Sequence, residues 1–208
     1  MVRIAILASG SGSNAEEIIR YLKGKKDLRV EVVVTNRRDA GVIGRADRLG
    51  IPAEVIANAE WADEERVLSF FRSRKIDFIV LAGFLRMIPE FLIGAYPRQI
   101  VNIHPALLPA YGGKGMYGMN VHRSVCANQE KESGITIHLV DEEYDRGEIV
   151  FQARCPVDPE DEPEDVQKKV QMLEHQFYPM VVEYLAEGAG SLSRHSHHSD
   201  ERNLESYQ

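Results

Sequence analysis

The strongest constraint on this chain is the alternation, across its first half, of short apolar runs with segments of helical spacing. Val2 to Ala8, Arg29 to Thr35, Ala53 to Ile56, Phe78 to Ala82 and Ile100 to His104 read as strands. Between the first two, Ala15, Ile18, Ile19 and Leu22 fall at i, i+3, i+4 and i+7, one face of a helix. Ser13 and Glu16 stand at capping-box spacing at its start. A second helix is expected from Ala40 to Leu49, stopped by Gly50 and Pro52. A third runs from Ala62 to Arg74 with Val67, Leu68, Phe70 and Phe71 inward. Pro89 suits the first turn of a fourth, which reaches Ala95. Strands this uniformly apolar are buried on both faces. Alternating with helices, they predict an α/β fold of Rossmann-like type: a mostly parallel sheet with helices on both faces.

The style changes after residue 104. A loop fills 105–119, and Val121 to Asn128 is expected to be helical. Ile135, Ile137 and Leu139 then alternate with Thr136, His138 and Val140, the period-2 pattern of a half-buried strand. Ile149 to Val157 is its expected hairpin partner, antiparallel to the rest of the sheet. Glu162 to Leu185 reads as a long amphipathic helix striped by Val166, Val170, Leu173 and Phe177, with Pro179 expected to kink or break it. Residues 1–188 are thus read as one domain, and 189–208 as a polar, loosely ordered tail. His195, His197 and His198 sit in that tail and are read as solvated rather than metal-binding.

Composition narrows the function. The 208 residues carry a net charge of −7, with no basic stripe. Nucleic acid and membrane surfaces are therefore poor partners, and an anionic ligand would need local donors. The two cysteines, Cys126 and Cys155, have no metal-ligand spacing and suggest no disulfide framework. No segment has the ~20 apolar residues that would span a bilayer. No metal is expected, and the location is expected to be cytoplasmic.

Ligands of an open parallel sheet bind beyond the carboxyl ends of the strands. Three informative loops lie there. Ser9-Gly10-Ser11-Gly12-Ser13-Asn14 ends the first strand and opens a helix, so its N–H groups favour an anion. Gly10-x-Gly12-x-x-Ala15 also matches the dinucleotide fingerprint, and Arg37 and Arg38 after the second strand would suit a 2′-phosphate. An NADP-dependent oxidoreductase is one rival reading; a non-catalytic nucleotide-binding module is another. The Phe78 strand ends in Gly83-Phe84-Leu85-Arg86-Met87-Ile88. The Ile100 strand ends in Asn102-x-His104-Pro105, which puts an amide and an imidazole on one side of the strand. Asp145 is a candidate carboxylate to orient that imidazole. Gln171 and Glu174, three apart on the long helix, read on their own as solvated positions.

Taken together, Ser-Gly-Ser-Gly-Ser-Asn, Leu81-Ala82-Gly83-Phe84-Leu85-Arg86, Asn102-Ile103-His104-Pro105-Ala106-Leu107-Leu108-Pro109, Asp145-Arg146-Gly147 and Gln171-Met172-Leu173-Glu174-His175-x-x-Tyr178-Pro179 resemble one family. The chain is similar, over roughly residues 2–187, to the formyltransferase superfamily and within it to the folate-dependent glycinamide ribonucleotide transformylases of purine synthesis. The resemblance implies the formyltransferase fold and direct transfer of the formyl group of 10-formyltetrahydrofolate, a co-substrate, to the amine of glycinamide ribonucleotide. Neither metal nor ATP is needed. It implies that Asn102 and His104 stabilise the tetrahedral oxyanion and that Asp145 assists proton transfer. Gly12, Ser13, Asn14, Gln171 and Glu174 would bind the ribonucleotide. Arg86, Met87 and Ile88, with Val140, Asp141, Glu142, Glu143, Tyr144 and Asp145, would bind the folate. The expected assembly is a monomer or weak homodimer. A transfer-RNA formyltransferase would need a further C-terminal domain and a basic face, so it fits less well. The chain departs from the family in the loop Tyr111-Gly112-Gly113-Lys114-Gly115-Met116-Tyr117-Gly118-Met119-Asn120-Val121-His122. This loop is a few residues longer, and Asn120 stands where relatives have the first of two histidines.

Overall fold

A computed structural model describes the backbone of residues 1–200 and the side chains of residues 1–189. In chain order the elements are β1 (Val2–Leu7), α1 (Ser13–Leu22), β2 (Leu28–Thr35), α2 (Gly41–Arg48), β3 (Ala53–Val55), α3 (Glu64–Ser73), β4 (Phe78–Leu81), α4 (Glu90–Ala95), β5 (Ile100–His104), α5 (Met119–Ala127), β6 (Glu132–Leu139), β7 (Ile149–Pro156) and α6 (Pro163–Asp200). The strands form one seven-stranded sheet in the order β3-β2-β1-β4-β5-β6-β7. β1 to β5 pair in parallel, and β6 and β7 run antiparallel at one edge. The parallel sheet and the β6–β7 hairpin follow the expectation, but only β6 runs against the other strands: β7 reverses once more and shares the direction of β1 to β5.

Because successive side chains point to opposite faces, each strand feeds two cores. Ile4 and Ile6 of β1 pack with Ile18 and Leu22 of α1, Val42 of α2 and Val170 and Val182 of α6. Ala5 and Leu7 face the other way, onto Trp61, Phe71 of α3 and Leu92 of α4. α6 lies across the first face and touches α1, α5 and most of the strands.

Several local expectations are corrected. β6 is not half-buried: every residue from Ser133 to Leu139 is buried. It lies inside the sheet between β5 and β7, so both faces are covered, and Ser133, Thr136 and His138 are buried polar groups. α3 starts at Glu64 rather than Ala62. Residues Glu60–Ala62 form a separate 3-10 turn around the buried Trp61, and Asp63 caps the helix by accepting from Arg66 N. Phe70 is only half-buried, with the Arg74 guanidinium 3.9 Å over its ring. Pro89 stands at the N-cap of α4 rather than in its first turn. Pro179 does not break α6. It removes one helix hydrogen bond, but Tyr178, Pro179 and Val182 are buried against the body, and that packing carries the helix through. The expected tail from 189 begins inside α6, whose backbone continues to Asp200; residues 201–208 and the side chains of His195, His197 and His198 lie outside the described residues. Among the described residues no helix is long and apolar enough to cross a membrane. Cys126 and Cys155 are free thiols.

Candidate active site

From β1 the chain moves outward to β2 and β3, then returns to the other side of β1 to form β4. The order reverses between β1 and β4, and a crevice opens there at the carboxyl ends of the strands. A cavity of about 470 Å³ occupies it. Its lining includes every residue that the family resemblance put in the site, from Gly12 in the first loop to Glu174 on α6.

The floor is set by the loop after β1. Ser9 is buried; its Oγ donates to Asn36 Oδ1 at 2.7 Å and accepts from Leu85 N at 2.9 Å. This one hydroxyl ties together the loops that follow β1, β2 and β4. Gly12 takes a φ of 79°, and a Cβ there would collide with Val42 of α2. Ser13 and Glu16 do not form the expected capping box: Gly12 is the N-cap, and no side chain caps α1. Glu16 is drawn sideways instead by Arg20, at 2.6 Å, and by Arg45. The N–H groups of the first turn therefore keep their hydrogen-bonding capacity at the cavity wall.

α6 closes this end. Gln171 Nε2 donates to Ser13 Oγ at 3.3 Å, and Asn14 Nδ2 donates to Glu174 Oε2 at 3.0 Å. Burial pushes the Glu174 carboxyl above its ordinary range, against the Asn14 bond. Glu174 is thus not a solvated position; Gln171 remains exposed but, like Glu174, it meets the N-terminus of α1. A helix N-terminus beside amide and carboxyl groups can take a phosphate together with neighbouring hydroxyls.

At the centre, β5 presents Asn102 and the buried His104. His104 Nε2 lies 2.7 Å from the Tyr111 carbonyl, so Nε2 carries the proton and donates. Its Nδ1 faces Asp145 Oδ2 at 3.6 Å. Asp145 also accepts from Gly113 N at 2.9 Å. Burial lowers the His104 pKa, more than Asp145 and the Tyr111 carbonyl raise it, so the imidazole is neutral near pH 7. Burial pushes the Asp145 carboxyl up, but His138, His104 and the Gly113 N–H outweigh it, and the group stays ionised.

Sequence reasoning missed His138. It lies opposite Asn102 in the β5–β6 register. Its Nδ1 donates to Leu139 O at 2.9 Å, leaving Nε2 to accept from Asn102 Nδ2 at 3.1 Å. Nε2 is also 3.6 Å from Asp145 Oδ1. His138 therefore decides which way the Asn102 amide points. Thr136, two residues earlier, donates to Ala106 O at 2.7 Å and accepts from Leu108 N at 2.9 Å, which holds the turn after His104. Only the polar alternation of β6 hinted at these roles; the register depends on the long loop before it. His122 is buried with Nδ1 unpartnered, and burial lowers its pKa to about 4.

The remaining wall is Arg86, Met87 and Ile88 after β4, facing the 140–145 segment. Leu85, Met87, Tyr117 and Tyr144 are exposed apolar or aromatic side chains around the mouth. Such a wall suits a flat, largely apolar ligand with polar edges. Arg37 and Arg38 are not part of the lining; Arg37 pairs with Asp39 at 2.9 Å on the surface. The arginine pair that kept a 2′-phosphate reading open thus stands outside the cavity.

This α/β crevice, with an acid, an amide and two imidazoles at its centre, has known counterparts. The formyl transferase family matches residues 2–182, and the chain belongs to that family. Among relatives, it is 40% identical to the chloroplastic phosphoribosylglycinamide formyltransferase of Arabidopsis thaliana, over 89% of this chain and 65% of that protein. It is 44% identical to the enzyme of the same name from Vigna unguiculata, over 89% of this chain and 61% of that protein. The chain thus spans a little under two thirds of the length of these two relatives. The phosphoribosylglycinamide formyltransferase of Bacillus subtilis is 35% identical over 89% of this chain and 95% of its own length. The crystal structure of glycinamide ribonucleotide transformylase 1 from Symbiobacterium toebii superposes with a TM-score of 0.82 at 33% identity, covering 90% of this chain and 89% of that one.

Proposed function

We propose that this chain transfers the formyl group of 10-formyltetrahydrofolate to the amine of glycinamide ribonucleotide. The observation that carries the reading is one cavity that joins three parts: an uncapped helix N-terminus beside Glu174, the Asn102–His104–Asp145–His138 cluster, and a wall where Leu85, Met87, Ile88, Val140 and Tyr144 offer apolar surface among polar and acidic neighbours. The first part suits a ribonucleotide phosphate and its sugar, the second acyl transfer, and the third a pterin. The names of the relatives agree with it.

The amine nitrogen attacks the formyl carbon and its carbonyl oxygen becomes an oxyanion. Asn102 Nδ2, with one hydrogen held by His138, has a second free for that oxygen. His104 Nε2–H is held by the Tyr111 carbonyl at 2.7 Å. An oxyanion is a stronger acceptor than a neutral carbonyl, so it draws this donor away, and the loop after β5 yields as it does so. The attacking amine becomes cationic; Asp145, ionised and beside His104, takes or relays one of its protons. The tetrahedral carbon then breaks its bond to the folate nitrogen, which leaves with a proton as tetrahydrofolate. No enzyme side chain is acylated.

The test is turnover. Purified protein is mixed with glycinamide ribonucleotide and 10-formyltetrahydrofolate, and folate absorbance is followed. Formation of tetrahydrofolate that depends on both substrates is expected. Absence of any such change, with the protein folded, would sink the reading.

A further inference from the structure

We infer that Lys114, at the tip of the loop after β5, binds the anionic end of a substrate through its ammonium group. The inference rests on the function proposed above and deepens it. The formal cations lining the cavity are Arg86 and Lys114, whereas Asp141, Glu142, Glu143, Asp145 and Glu174 are all acidic. Both proposed substrates are anions, one ending in a phosphate and the other in a glutamate carboxylate pair. With a net charge of −7, the molecule supplies no general positive field to hold them. A local cation has to offset five carboxyl groups, and Arg86 sits in the wall assigned to the pterin.

Lys114 is placed for this task. Its side chain is exposed, and no hydrogen bond or ion pair engages it among the described residues. Lys25 and Lys169, by contrast, are each tied to carboxylates. The loop is braced on both sides of Lys114. Gly113 N is fixed to Asp145 at 2.9 Å, and Asn120 Nδ2 holds Gly115 O at 3.1 Å. Asn120 thereby braces the loop from its C-terminal side. Gly113 and Gly115 adopt φ of 92° and 89°, so the backbone turns sharply on either side and Lys114 stands on a tight tip next to Gly113, whose N–H holds the Asp145 carboxylate. A long, flexible ammonium on a fixed tip suits phosphate or carboxylate oxygens as a point charge.

The test compares wild-type protein with Lys114→Ala and Lys114→Arg, using calorimetric affinity for each substrate and steady-state turnover. Two truncated ligands are included: glycinamide ribonucleoside without its phosphate, and the formyltetrahydropteroate that lacks glutamate. Lys114→Ala should weaken one natural substrate by about tenfold, the size of a lost charge-assisted bond. It should leave the matching truncated ligand unaffected, and Lys114→Arg should recover most of the affinity. Selective loss for the ribonucleotide assigns the phosphate; selective loss for the folate assigns the glutamate. Unchanged affinity for both, or equal weakening of natural and truncated ligands, overturns the inference. A fall in kcat with affinities intact would also overturn it, since that is the mark of a residue that only shapes the loop. Failure of wild-type turnover would refute the proposed reaction, while the affinities would still judge Lys114.

Discussion

At the scale of single residues, chemistry depends on how four side chains constrain one another. His104 is neutral because it is buried, and its tautomer is set by the Tyr111 carbonyl at 2.7 Å. Asn102 is aimed by His138. His104→Ala should lower kcat by roughly a hundredfold or more, the usual loss for one oxyanion donor, with affinity for the ribonucleotide within about threefold. Single-turnover kinetics and calorimetry would check this, and near-normal turnover would remove His104 from the mechanism. Asn102 and His104 stood out in the sequence as an amide and an imidazole two apart at the end of an apolar strand, which are costly to bury without partners, whereas Asp145 was only a candidate there and the fold brings it 3.6 Å from His104. His138 was not legible. On its own strand it is one polar residue in an alternating run, and only the register with Asn102 gives it work.

At the scale of elements, two helices build the end of the cavity where the ribonucleotide is proposed to bind. The N-terminus of α1 is open because Glu16 is held by Arg20 and Arg45 rather than folded back as a cap. Gly12→Ala should strain the left-handed backbone and push on Val42. We expect the mutant to lose at least tenfold in ribonucleotide affinity while folate affinity changes little; calorimetry with each ligand separates the two. α6 contributes differently. Tyr178 is fully buried, and its hydroxyl donates to Leu81 O at 2.9 Å and lies 3.3 Å from Val101 O, bridging β4 and β5 below the site. Tyr178→Phe keeps the ring but leaves both carbonyls short of a donor. Urea denaturation should show a loss of about 1–2 kcal/mol with an unchanged m-value. Glu174, one turn earlier on the same helix, faces the cavity. Its amphipathic spacing was visible in the sequence, yet spacing alone does not say what lies opposite.

At the scale of the whole molecule, buried histidines make stability depend on acid. His122 titrates near 4 in the fold against an ordinary value of 6.5, so the unfolded chain binds more protons between those values. Stability is therefore complete above about pH 6.5 and falls as the pH drops toward 4, by on the order of 3 kcal/mol for this group. His104 shifts in the same direction. Thermal unfolding at pH 7, 5.5 and 4.5 should show a declining Tm, and His122→Phe should flatten that decline; a parallel decline in the mutant would assign it elsewhere. The parallel sheet, its helices on both faces, the crevice at its carboxyl edge and the antiparallel hairpin were all inherent in the amino-acid order, because apolar periodicity dictates which surfaces must be buried. The local polar roles were decided by the three-dimensional arrangement: Glu16 away from its cap, His138 against Asn102, Glu174 against Asn14, and β6 buried on both sides. Each depends on what a distant segment places nearby. A hydrophobic stripe states only that a face is covered, whereas a hydrogen bond or ion pair requires a specific atom about 3 Å away. That atom is supplied by residues 29 to 160 positions along the chain.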